Sequence, residues 1–171
     1  SDQEKIDFDR EINEQLRGVS RMESLEIILS HSDEIYNEKD KEQLAQKKNE
    51  IYCELLNKLS PNDILPGIIS LLQSLKAKSI KIAIGSSSKN TPFILEKIGL
   101  AASFDAIADG NGIKNSKPDP EVFLLAAEKL GVTPEECVVI EDAQAGIDAA
   151  IAAGMKAVGV VSASTCVNAH L

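Results

Sequence analysis

Cys137-Val138-Val139-Ile140-Glu141-Asp142-Ala143-Gln144-Ala145-Gly146 is a short apolar run, then two acids, then small residues that open an amphipathic stretch. The apolar run predicts a buried strand. The spacing over 143–153 predicts a helix, and Gly154 stops it. Residues 156–161 read as the next strand. Upstream the same alternation repeats: a helix over 68–75, a strand over 79–84, a helix over 91–98 stopped by Gly99, and a short strand over 104–108. Asp119 and Pro120 read as N-cap and first helical residue of a helix ending before Gly131. Thr133-Pro134-Glu135-Glu136 repeats the start signal for one short turn. Strands alternating with helices predict an α/β fold with a parallel sheet and right-handed crossovers. In such sheets ligands bind beyond the carboxyl ends of the strands.

Residues 1–63 differ from residues 64–171. They hold 16 of the 27 acids and nine of the 18 bases, a net −7 against −2 for the remainder, with one glycine and no strand pattern. They read as about three helices covering the sheet. The total charge of −9 argues against broad electrostatic binding to nucleic acid or an anionic membrane. No apolar run approaches the roughly 18 residues of a membrane span. The polar start, Ser1 to Lys5, does not read as a signal peptide, so none is expected. Cys53, Cys137 and Cys166 are odd in number and widely spaced, which fits a reducing cytoplasm. His31 and His170 are too few and too distant for a His-rich metal site.

The strand ends carry the polar residues. Gly85-Ser86-Ser87-Ser88-Lys89-Asn90 reads either as an anion cradle of hydroxyls and N–H groups or as a serine-rich helix cap. Pro118 biases Lys117 toward an extended conformation, so Lys117 either reaches back over the sheet edge or stands in a solvated loop. Glu141 and Asp142 suit a hard cation such as Mg²⁺; an N-cap by Asp142 explains only one of the two acids. In the helical part, Ser20 and Glu23 form a capping box that puts Arg21 in a first helical turn. A cation there opposes the helix dipole, which an anion shared with the helix N-terminus would resolve; a solvated arginine is the alternative. Lys48 interrupts the apolar stripe Leu44, Ile51, Leu55, Leu59, and either snorkels to solvent or faces a cleft.

In order and spacing, Ser86, Lys117 and Glu141-Asp142 resemble the second, third and fourth motifs of the haloacid dehalogenase superfamily. Gly18-Val19-Ser20-Arg21, Lys47-Lys48-Asn49, Ser86 to Asn90, Phe104 to Asp109, Ser116-Lys117-Pro118 and Glu141 to Gly146 resemble, in one register, its β-phosphoglucomutase family. The resemblance implies a doubly wound, Rossmann-like core (64–171) with a helical cap domain (1–63). It implies an isomerase of carbohydrate metabolism that interconverts β-glucose 1-phosphate and glucose 6-phosphate through a bisphosphate. By the same resemblance Ser86 and Lys117 hold the transferring phosphoryl group, and Glu141 and Asp142 serve Mg²⁺. Arg21, Ser88, Lys89 and Asn90 hold the distal phosphate; Gly18, Val19 and Ser20 line the sugar side; Lys48 faces the cleft. Ser87, in the substrate loop, stands where the family often has Ala. The implied partners are phosphorylated sugars only, with no nucleic acid and no membrane, for a protein that is a monomer when complete.

The family also uses an Asp-x-Asp after its central strand, the first Asp as nucleophile and the second as general acid/base. Asp7-Phe8-Asp9 follows no strand pattern and falls in the helical register, so it is not expected to be that motif. The expectation is a chain that starts inside the cap and stops one strand and helix early, inactive over this span unless a longer chain, a partner or a swapped segment supplies the strand. The alternatives are a sugar-phosphate phosphatase and a non-catalytic sugar-phosphate binding module.

Overall fold

The computed structural model describes residues 10–32 and 34–160; Asp7 and Asp9 lie outside them, as do Cys166 and His170. Helices come first: α1 (Arg10–Gln15), α2 (Arg21–Leu29) and α3 (Glu38–Leu56). The capping box of α2 is formed: Glu23 N–H donates to Ser20 Oγ, and Ser20 N–H donates to the Glu23 carboxylate. Asn37 caps α3 by accepting from Asp40 N–H. Leu25, Leu29 and Ala45 bury one another in a small core of their own. The stripe on α3 does not join it throughout. Leu44 packs there, whereas Ile51 and Leu55 are 49% and 54% exposed along a cleft.

A capped 3-10 turn, Pro61–Asp63, leads to α4 (Ile68–Ala77). Then follow β1 (Ala83–Gly85), α5 (Thr91–Lys97), β2 (Ala106–Ala108), α6 (Glu121–Leu130), β3 (Val138–Glu141), α7 (Gln144–Ala152) and β4 (Lys156–Gly159). β1 pairs with β2 (Ile84 opposite Ile107) and β3 with β4 (Ile140 opposite Val158), both parallel. Alternation along β1 and β2 sorts their side chains to two faces. Ala83 and Ala108 meet Val122 and Phe123 of α6, while Ile84 and Ile107 meet Leu72 of α4 and Leu95 of α5. Helices therefore cover both faces, as a doubly wound sheet requires.

The strands are shorter than the sequence suggests. Ser79, at φ 55°, and the bond from Ile80 N–H to the Leu75 carbonyl make residues 78–80 the end of α4. Ile82 N–H is taken by the Asp105 carboxylate, so the ladder starts at Ala83. α6 starts at Glu121 rather than Pro120, although Asp119 Oδ1 still accepts from Glu121 N–H. β3 is buried on one face only. Val139 packs into the α6–α7 core, but Val138 and Ile140 are 59% and 52% exposed. Among the described residues no strand joins the two pairs, which lie against the shared core of α6 and α7.

Candidate active site

The turn after β1 is organised by its own hydroxyls. Ser88 N–H donates to Ser86 Oγ at 3.2 Å and Asn90 N–H to Ser88 Oγ at 3.1 Å. The loop after β2 supports it from behind. Gly110 N–H donates to the Ser88 carbonyl at 3.2 Å, and Asn111 Nδ2 to the Lys89 carbonyl at 3.0 Å. A Cβ on Gly110 would overlap the Ser87 carbonyl, so this approach needs glycine.

Lys117 is no solvated loop lysine: it is 4% exposed. Its Nζ donates to the Gly85 carbonyl at 3.1 Å, pairs with Glu141 Oε1, and lies 4.6 Å from the Phe123 ring centroid. Its own N–H donates to Ser87 Oγ at 3.3 Å, joining this cluster to the turn. The other oxygen of Glu141 accepts from Asp142 N–H and Ala143 N–H. A buried ion pair needs such further bonds to offset its desolvation.

Glu141 is thus engaged by the protein on both oxygens. Asp142 is the more open acid, with its side chain 58% exposed and 3.3 Å from Arg17. It does not cap α7, whose N-cap is Ala143. Among the described residues no three His, Cys, Asp or Glu side chains cluster around a metal-sized space. Asp142 is therefore the carboxylate at the end of β3 whose exposed side chain could give an oxygen ligand to a hard cation.

The helical part faces this surface. Gly18, at φ 78°, is placed so that a side chain on it would touch Ala143 and Ala145. Lys48 Nζ donates to Ser24 Oγ at 2.7 Å. Burial, and after it the neighbouring Arg21 guanidinium, hold the Lys48 ammonium below the ordinary lysine range. Asn90 Nδ2 donates to Asn49 Oδ1 at 3.2 Å, and Ser116 Oγ donates to the Glu23 carboxylate. Burial would raise the Glu23 pKa, but the bonds from Ser116 and Ser20 outweigh it and hold the carboxyl low.

Between the two parts lies a cavity of about 1040 Å³. Val19, Ser20, Arg21 and Lys48 line it from one side, Ser87 to Asn90 from the other. Lys117 and Glu141 form a buried pair bonded to the carbonyl of Gly85, the residue before Ser86, and Gly18 packs by the turn that carries Asp142. Sequence reasoning missed Arg17, Ser24 and Asn49 as partners. Each sits beside or one helical turn from a residue it did single out, which is the signal that could have found them.

The chain belongs to the haloacid dehalogenase-like hydrolase family, whose profile matches residues 8–160. Within that family it is similar to β-phosphoglucomutase. It is 46% identical to the Bacillus subtilis β-phosphoglucomutase over 173 residues, spanning 100% of this chain and 76% of that protein. The crystal structure of a Clostridium difficile β-phosphoglucomutase superposes with a TM-score of 0.87 at 44% identity, over 96% of this chain and 78% of that one. A phosphorylated carbohydrates phosphatase of Thermotoga maritima is 33% identical over 160 residues, 90% of this chain and 70% of that protein. No described helix is long and apolar enough to cross a membrane.

Proposed function

We propose that the protein is a cytoplasmic, monomeric phosphosugar mutase that interconverts β-glucose 1-phosphate and glucose 6-phosphate through a bisphosphate. The observation that carries this reading is the excess of positive charge in the cavity, where Arg21, Lys48, Lys89 and Lys114 stand against one acid, Glu42. Arg21 and Lys48 on one wall and Lys89 on the other have no ion pair with a carboxylate among the described residues. Cations in excess in a shared cavity are arranged for an anion that arrives.

In this reading residues 1–63 are the cap and 64–171 the core. Arg21, Ser88, Lys89 and Asn90 hold the distal phosphate, with Ser87 beside them and Lys48 adding charge from the cap. Gly18, Val19 and Ser20 line the sugar. Ser86 and Lys117 hold the phosphoryl group in transfer, and Glu141 keeps Lys117 in place. Asp142, with Glu141 next to it, serves Mg²⁺, which when bound withdraws charge from phosphoryl oxygens. Cap and core grip one ligand, so binding draws them together and excludes water, which a mutase must keep from the phosphoryl group.

The similarity to a phosphatase supports a second reading, hydrolysis of a sugar phosphate. The test is product analysis on the protein at its natural length, given β-glucose 1-phosphate, Mg²⁺ and the bisphosphate. Glucose 6-phosphate as the main product supports the mutase; stoichiometric inorganic phosphate supports the phosphatase instead.

A further inference from the structure

The polar contacts between the helical part and the α/β part include one whose acceptor already has a local task. Glu23 Oε2 accepts from Ser20 N–H at 2.9 Å to cap α2, and the same oxygen accepts from Ser116 Oγ, 93 residues away. We propose that Glu23 is a positioning residue: through Ser116 it docks the N-terminus of α2, and Arg21 with it, against the loop that delivers Lys117.

A surface glutamate ordinarily loses rotamer freedom to hold a distant partner, which cancels much of the gain. Glu23 is different because the capping box already fixes its side chain, so the bond to Ser116 adds little ordering cost. The acceptor is anionic, which strengthens the bond. On the far side, Ser116 directly precedes Lys117, whose N–H is bonded to Ser87 Oγ and whose Nζ is bonded to Gly85 and Glu141. The chain of contacts therefore runs from the helix cap to the buried ion pair, and its exposed link, Glu23, is held by the capping box. A capping box needs only Ser20 and Glu23; the bond to Ser116 is additional to helix formation.

This proposal rests on the phosphosugar reading only for what Arg21 grips, because docking is measurable with no ligand present. The experiment places fluorophores on the full chain at positions 39 and 128, exposed sites on α3 and α6, through non-cysteine chemistry. Single-molecule transfer efficiencies then report docked and separated populations. Ser116→Ala leaves the capping box intact and is expected to raise the separated-to-docked ratio about fivefold. Glu23→Ala is expected to raise it at least as much, and the double variant no further than Glu23→Ala. An unchanged ratio in Ser116→Ala, or fully additive effects, overturns the proposal. Titration with inorganic phosphate keeps the two readings apart. Phosphate that binds every variant at an unchanged docking ratio overturns the docking role and leaves the anion site standing. Altered docking with no phosphate binding in any variant supports the docking role and counts against the anion site.

Discussion

Gly146, in the first turn of α7, lies directly against the carboxylate of Glu141, and a Cβ at that position would overlap it. In an ordinary helix, Gly→Ala stabilises by about 1 kcal/mol. Here the carboxylate is fixed by Lys117 and by two backbone N–H groups, so it has no rotamer in which to retreat. Gly146→Ala is expected to destabilise by about 1–3 kcal/mol, the range for forcing extra atoms into a packed site. Urea unfolding measures the sign directly.

Lys117 and Glu141 are both nearly buried, their side chains 5% and 9% exposed. Removing one partner of such a pair leaves a buried charge, at a cost of about 3–5 kcal/mol. Lys117→Met is expected to lose stability of that order in a denaturant midpoint measurement. Adding Glu141→Gln should recover part of it, since no uncompensated charge then remains.

Burial and Arg21 lower the Lys48 pKa in the folded chain. Between that lowered value and the ordinary lysine value, the unfolded chain binds more protons than the folded one. Stability therefore rises with pH across that window. Anion affinity runs the other way, falling as Lys48 loses its proton below the ordinary value. Arg21→Gln removes the neighbouring charge and is expected to move the Lys48 pKa upward. The lysine side-chain carbon resonance, followed by NMR against pH, reads the shift.

Sequence signals are legible in this chain where the physics is local. Ser20 and Glu23 formed their box, and Gly99, Gly131 and Gly154 ended their helices at positive φ. Burial was less legible. Cys137 to Ile140 has the composition of a strand covered twice, yet Val138 and Ile140 are open, because which helices cross which face is decided by topology far from that strand. Residues 79–82 have strand composition, but the end of α4 and Asp105 claim their backbone groups. The candidates Ser86, Lys117, Glu141 and Asp142 are read from their places after strands, whereas Arg21 and Lys48 are read from a helix cap and an interrupted apolar stripe. Arg17 and Asn49 are legible as neighbours of Gly18 and Lys48, but their pairing with Asp142 and Asn90, 125 and 41 residues away, follows no spacing rule.

The central claim is that the cavity between α2 and the turn after β1 takes the phosphate of a phosphosugar. Calorimetric titration of glucose 6-phosphate into the protein and into Arg21→Ala tests it most directly. Loss of a charge-assisted bond to phosphate predicts affinity lower by about 10- to 100-fold in Arg21→Ala, with the unfolding midpoint nearly unchanged because Arg21 is exposed. Equal affinity in the two proteins would contradict the claim.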